Sequence, residues 1–157
     1  ELIHAWKYNY ILVASQDAKK IVEAYLDETA YLFSRIRYSI IPIPLYAGKE
    51  RKRGFNQSRE IAKMLLESLT ERGVLAEIEE PLTRVRNTKT QTKMENLAER
   101  EKNLEGAFMI KNPPLVSNKT IILVDDVFTS GATMKEAARV LKQAGAKKII
   151  GFVLALA

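Results

Sequence analysis

Cysteine is absent from this 157-residue chain. That removes disulfides, thiolate nucleophiles and Cys-based metal sites together, and leaves the redox compartment unmarked. Histidine occurs once, as His4, so no histidine pair is available for a metal, and the only imidazole that could activate a nucleophile sits near the amino end; His4 reads as a bland residue. Long apolar runs are missing too. None reaches the roughly 18 to 20 residues that cross a bilayer, and the amino end lacks the basic, apolar and small-residue order of a signal peptide. These absences predict a soluble, cytoplasmic protein with no membrane insertion. The first residue is Glu1 rather than methionine, which reads as a fragment or a trimmed form of a longer chain. Acidic charge is in deficit: 25 Lys and Arg against 19 Asp and Glu give a net charge of +6 and a pI near 9.5. Such a balance favours an anionic partner, whether a phosphorylated metabolite, a nucleic acid or an acidic protein.

What is present suits one folded unit. With 46% hydrophobic and 28% charged residues the composition is that of a single domain, 1–157, large enough to bury a real core. The five prolines, at 42, 44, 81, 113 and 114, mark joints between elements. From Ser15 to Arg37 the apolar positions Ile21, Val22, Tyr25, Leu32, Phe33 and Ile36 recur at helical spacing, predicting an amphipathic helix broken near Thr29 with Asp17 as an early capping acid. Residues 39–44, SIIPIP, suit a strand. Ile61, Ala62, Leu65, Leu66 and Leu69 line a helix closed by Gly73, and VLAEIE, 74–79, reads as a strand. Leu82 to Glu105 is polar and without apolar period, a long functional loop. TIILV, 120–124, is continuously apolar and β-branched, as a central strand covered on both faces should be. Met134, Ala137, Ala138, Leu141 and Ala144 form a helix stripe ended by Gly145, and KIIGFVLALA returns as another buried strand. The fold class is therefore α/β, with a mainly parallel sheet flanked by helices and a right-handed crossover between the last two strands.

The chemistry concentrates in ILVDDVFTSGAT, residues 122–133. In an open parallel sheet, ligands bind beyond the carboxyl ends of the strands, where Asp125 and Asp126 fall. Two neighbouring carboxylates repel unless donors arrive, and a pair of ribose hydroxyls or a divalent cation would satisfy them. Thr129, Ser130, Gly131, Ala132 and Thr133 then lead into a helix, so backbone N–H groups and hydroxyls can encircle a phosphate at its positive end, with Gly131 permitting close backbone approach. The bland reading is a solvated strand end followed by an ordinary capping turn. No GxxxxGK(S/T) and no GxGxxG are present, which excludes a nucleotide-hydrolysing P-loop and a dinucleotide fingerprint.

This stretch resembles the 5-phosphoribosyl-1-pyrophosphate (PRPP) motif of type I phosphoribosyltransferases. The resemblance implies that Asp125 and Asp126 hold the ribose 2- and 3-hydroxyls and act as the catalytic pair, and that Thr129 to Thr133 hold the 5-phosphate. Hypoxanthine-type members carry an aspartate where this chain has Thr129, which argues against that assignment. Two further stretches, IPIPLYAGKERKRGFNQSREIA at 41–62 and LTRVRNTKTQTKMENLAEREKNLEGAF at 82–108, look like the ComF (GntX-type) competence-associated family. The R-G-F-N-Q run at 53–57 and the R-x-R-x-T-x-x-Q-T pattern from Arg84 to Thr92, continued by Arg100, Asn103, Gly106 and Phe108, carry the match. Many relatives have a Cys-rich, zinc-binding amino-terminal segment; this Cys-free sequence shows none, so no protein-held metal is expected.

Between Ala47 and Lys63, six basic residues (Lys49, Arg51, Lys52, Arg53, Arg59 and Lys63) face two acids, which makes either a local anion trap or a solvated basic loop. In the family, the loop after this strand would grip pyrophosphate, implicating Lys49, Lys52, Arg53, Gly54 and Asn56. The 82–105 stretch resembles a mobile hood that closes over PRPP, with Arg84, Arg86, Lys93 and Arg100 as its basic residues. WKYNY, at 6–10, reads as core packing, with stacking on nucleobases as the alternative. Three functions follow: an enzyme displacing pyrophosphate from PRPP with Mg2+; a non-catalytic PRPP or nucleotide sensor serving competence, with competence-machinery proteins as partners; or a binder of single-stranded DNA. Any of the three is compatible with an oligomer.

Salt separates these classes. A nucleic-acid footprint through Arg51 to Arg53 and Arg84 to Arg100 should weaken steeply, with a log–log slope of about 0.9 per neutralised phosphate on duplex and about 0.7 on single strands. PRPP capture, which also uses fixed hydrogen bonds, should respond less. Single-stranded DNA that binds tightly and is not displaced by PRPP would place the two ligands at different sites.

Overall fold

The computed structural model describes residues 12–33, 36–88 and 102–156; His4, the aromatics of residues 6–10, Lys93 and Arg100 lie outside them. In chain order the elements are helix α1 (Leu12–Thr29), a 3-10 turn (Ala30–Leu32), strand β1 (Tyr38–Pro42), helix α2 (Ala47–Arg53), helix α3 (Gln57–Glu71), strands β2 (Ala76–Ile78), β3 (Leu82–Arg84) and β4 (Phe108–Ile110), a second 3-10 turn (Pro113–Leu115), strand β5 (Thr120–Phe128), helix α4 (Ala132–Gln143) and strand β6 (Lys148–Leu156).

β5 is the spine. Its first five residues are buried, and it pairs in parallel with β1 on one side, from Tyr38 against Thr120 to Pro42 against Val124, and with β6 on the other. β2 lies outside β1, completing a parallel sheet in the order β2-β1-β5-β6. Alternate side chains of a strand face opposite ways, and here both ways lead into apolar cores. Ile121 and Leu123 pack with Ile41 and with Ala137 and Leu141 of α4. Ile122 and Val124 pack with Ile40, with Val22 and Leu26 of α1, and with Ile61, Leu65 and Leu69 of α3. That double burial is why the run 120–124 carries no polar alternation.

Several sequence expectations need correction. Of the expected α1 positions Val22 is buried, together with Ala18 and Leu26, whereas Ile21 and Tyr25 are half-exposed. The two stripes are one position apart and both apolar, so spacing alone could not choose between them. The helix begins three residues before Ser15, so Asp17 falls beyond its first turn, which holds no acid. β6 is an edge strand of intermediate burial rather than a buried one. The 82–105 stretch opens with β3, which pairs antiparallel with β4; three-residue strands are too short to show a period. No helix among the described residues is long and apolar enough to cross a membrane.

The α1 assignment predicts a clear contrast. Leu26→Ala, at a fully buried position, should cost about 2 to 5 kcal/mol. Ile21→Ala, at a position 45% exposed, should cost about 0.5 kcal/mol or less. Urea denaturation of both variants checks it, and a reversed order would mean that the sequence-based stripe is the core.

Candidate functional site

A cleft of about 350 Å³ opens at the carboxyl ends of β1 and β5, where a parallel sheet offers backbone ends and helix starts to a ligand. One wall is acidic. Asp125 and Asp126 sit in the last part of β5 and both line the cleft. As successive residues of an extended strand they project to opposite faces, which eases the repulsion expected from their adjacency. Each is also steadied by the backbone: the Asp126 N–H donates to Asp125 Oδ1 at 2.9 Å and the Val127 N–H to Asp126 Oδ1 at 2.8 Å. The Ser58 hydroxyl at the start of α3 donates to the same Asp125 oxygen at 3.0 Å.

The opposite wall is basic. Lys49 and Arg53 stand four residues apart on α2, hence on one helix face, and line the cleft with Arg84 at the end of β3. Burial lowers the Lys49 pKa, and the charges of Arg84 and Arg53 lower it further. Its ammonium donates to the Thr88 carbonyl at 2.9 Å. Arg84 is held below the ordinary arginine range by burial, against the pull of Asp125. Its guanidinium lies 5.4 Å from the centre of the Phe108 ring, bonds to the Thr88 hydroxyl, and leaves Nε buried without a partner. An anion entering between Lys49 and Arg84 would meet two cations that, among the described residues, are hydrogen-bonded to uncharged groups of Thr88.

The basic segment that follows β1 is helical rather than a loop, and only part of it faces the cleft. Arg59 is drawn off by a two-pronged pair with Glu80, at 2.8 and 2.7 Å, and by Glu50 at 2.5 Å. The Glu80 bonds foremost raise its pKa, against the cost of burial, and Glu50 adds to them. Lys63 bonds Glu60 at 2.9 Å. Lys52 is exposed on another side of α2. Gly54 ends that helix at φ 85°. Asn56 is 2% exposed and uses both ends of its side chain internally, accepting from the Ser58 N–H at 3.1 Å and donating to the Ile43 carbonyl at 3.0 Å. Arg86 is exposed and donates to the Glu105 carbonyl at 2.5 Å. Sequence reading missed Gln57 and Ser58 as cleft residues; the only signal was their place in the R-G-F-N-Q run and directly after it.

At the third side, the turn from Phe128 to Gly131 leads into α4. Gly131 is the residue before the helix, with φ 72°, a left-handed conformation that glycine adopts freely. Its carbonyl accepts the Lys135 N–H at 2.8 Å, and the Ser130 hydroxyl lies 3.5 Å from the Ala132 N–H. The Phe128 ring covers Gly131: a Cβ there would meet Phe128 Cζ at 2.5 Å. The small pocket lined by Phe128, Thr129, Gly131 and Thr133 has about 10 Å³ free, room for about one water, while Thr129 and Thr133 also line the larger cleft. Among the described residues no group of three or more acids or histidines is placed to hold a metal.

Comparison with known proteins bears on the family and the fold. A phosphoribosyl transferase domain matches residues 53–157. Competence protein F of Haemophilus influenzae is 31% identical over 142 residues, 88% of this chain and 55% of that protein. Competence protein ComFC of Bacillus subtilis is 31% identical over 140 residues, covering 86% and 53%, and DNA utilization protein YhgH of Escherichia coli is 34% identical over 110, covering 70% and 45%. The chain thus spans about half the length of these relatives. Among solved structures, a hypoxanthine phosphoribosyltransferase from Staphylococcus aureus superposes with a TM-score of 0.54 at 9% identity, covering 88% of this chain and 62% of that one. The glutamine PRPP amidotransferase from B. subtilis, complexed with ADP and GMP, gives 0.53 at 18% identity, covering 90% and 26%. At such identities the likeness shows the fold, the type I phosphoribosyltransferase α/β architecture.

The Phe128–Gly131 contact generates its own test. Gly131→Ala should destabilise by about 1 to 2 kcal/mol from the left-handed backbone alone, with a further loss from displacing the ring. In a Phe128→Ala background only the backbone part should remain, so the alanine cost should shrink. A thermal or urea double-mutant cycle reads the difference; equal costs in both backgrounds would mean that the ring gives way freely.

Proposed function

The chain belongs to the type I phosphoribosyltransferase family, in its ComF-type branch, and on that premise we propose that the cleft binds PRPP or another phosphorylated ribose and that the protein transfers the phosphoribosyl group with release of pyrophosphate. The observation that carries this reading is the polarity of a single cleft: two carboxylates on β5, a glycine-started helix α4 beside them, and Lys49, Arg53 and Arg84 opposite. PRPP can use all three, because its ribose presents a vicinal diol between a 1-pyrophosphate and a 5-phosphate.

In this reading Asp125 and Asp126 accept hydrogen bonds from the ribose hydroxyls, and the Ser58 hydroxyl fixes the direction in which Asp125 points. The backbone N–H groups of Thr129 to Thr133 receive the 5-phosphate. An acceptor nucleophile attacks C1 as the C1–O bond to pyrophosphate breaks, and the cations of α2 and β3 meet the negative charge that grows on the departing oxygens. Those charges are prearranged and partly desolvated, which is how electrostatic stabilisation lowers a barrier. Mg2+ arriving with PRPP would neutralise part of the pyrophosphate charge; the residues suit a cation held by one or two carboxylates together with substrate oxygens and water, and Asp125 and Asp126 are the carboxylates available for it.

A second reading keeps the binding and drops the turnover: a PRPP or nucleotide sensor, or a binder of single-stranded DNA acting with competence-machinery proteins. It is favoured by the net charge of +6 and by the names of the relatives, which speak of competence and DNA utilization.

Calorimetric titration with PRPP and Mg2+, followed by assay of pyrophosphate release with candidate acceptors, separates the two. Binding with release supports the enzyme, and binding without release supports the sensor. Asp125→Asn combined with Asp126→Asn should cost about 1.5 to 3 kcal/mol of PRPP affinity for each charge-assisted bond lost. The melting temperature should stay unchanged or rise, because each amide keeps an oxygen to accept its backbone N–H. Unaltered PRPP affinity in the double variant would remove the carboxylates from the site.

A further inference from the structure

Gln57 is the first residue of α3, is 2% exposed and lines the cleft. Its Oε1 accepts from Arg53 Nη1 at 2.8 Å. A guanidinium only donates, so that bond fixes which way the amide lies and turns Nε2 to the other side, where it is buried with no acceptor. Buried donors left unpaired are rare and costly. Among the described residues three buried side-chain atoms lack a partner, and two of them, Gln57 Nε2 and Arg84 Nε, belong to residues of this one cleft. Both are donors, so what is missing there is an acceptor.

Resting on the phosphoribosyl reading of the cleft, we infer that Gln57 is a ligand-contact residue, donating through Nε2 to an anionic oxygen of the pyrophosphate group. The surroundings set the class of acceptor. Lys49, Arg53 and Arg84 converge on the same cleft, and the two acids stand on its other wall, so a neutral oxygen would leave the cations unanswered. An amide is the side chain that meets both demands at once. It accepts from Arg53, holding that guanidinium at the cleft, and still has an N–H to offer. A glutamate would keep the first role and set a negative charge against the ligand; a methionine would fill the volume and serve neither.

The test uses the full chain and two probes, inorganic pyrophosphate and ribose 5-phosphate, titrated by calorimetry. Gln57→Met should lower pyrophosphate affinity by about tenfold or more and change ribose 5-phosphate affinity by less than about twofold, since that ligand is read at α4. Gln57→Glu, which retains an acceptor for Arg53, should show the same selective loss and serves if the methionine variant does not fold. The same substitution in an Arg53→Met background decides whether Gln57 touches the ligand. A further drop in pyrophosphate affinity supports direct contact, whereas no further drop means that Gln57 acts only by holding Arg53 and overturns the inference. Equal loss of both ligands, or of neither, overturns it as well. Wild-type protein that binds neither anion overturns the phosphoribosyl reading itself, and this inference with it; wild-type protein that binds both, beside a Gln57→Met variant that binds both equally, removes Gln57 alone.

Discussion

Asn56 is the point on which the arrangement of the cleft turns. Its buried amide joins the carbonyl of Ile43, where the chain leaves β1, to the first turn of α3, where it accepts the Ser58 N–H. With both ends of the side chain committed, the separation between a strand end and a helix start is set by two hydrogen bonds rather than by loop packing. α2 spans that gap, so the cations of its one face inherit their position from the same clamp. So does Ser58, whose hydroxyl reaches across to Asp125. Asn56 thereby helps to set the distance between the acidic and basic walls. A buried amide serves well there because its donor and acceptor are both satisfied, which makes the contact directional without leaving a charge to solvate.

The electrostatics of the cleft follow from which charges the fold neutralises and which it does not. Arg59 lies close in sequence to Arg53, yet Glu50 and Glu80 absorb it, and Lys119 is likewise absorbed by Glu79 at 2.7 Å near the far end of the sheet. Lys49 and Arg84 receive uncharged partners instead, the carbonyl and the hydroxyl of Thr88. Uncharged acceptors orient a cation without cancelling it. The result is a small region of positive potential facing two carboxylates, in a protein whose other ion pairs are mostly ordinary surface ones worth little to stability.

The sheet was legible in the sequence wherever a run was long enough to carry its own signature. TIILV, the two acids after it and the glycine before α4 each state a physical demand, and strand, cleft edge and helix start fall where those demands put them. The membership of the family was legible from the same stretch with the R-G-F-N-Q run. What escaped depended on partners remote in sequence. Nothing near Arg59 reveals that Glu80 will claim it, and nothing in Leu82–Arg84 reveals pairing with Phe108–Ile110. In α1, Ile21 and Val22 are equally apolar neighbours, and only the position of β5 decides which of them is buried. Nothing near Asn56 in the sequence shows that its amide also joins Ile43 to the start of α3; that is visible only once Ile43 stands beside it.

The pairing of β3 with β4 has a consequence for how such a protein can diversify. Because the two strands run antiparallel and lie side by side, with Arg84 opposite Phe108, the ends of the stretch between them are fixed next to each other. An excursion with fixed, adjacent ends is thermodynamically almost indifferent to its own length, since each doubling of a flexible loop costs only about 0.6 kcal/mol. Changes of length between those ends can therefore be absorbed without displacing β1 or β5, provided that Leu104 and Ala107, which are buried in the core with Ile41, Ile121 and Leu123, keep their places. The pairing that closes the stretch thereby separates its length from the geometry of the sheet that carries Asp125 and Asp126.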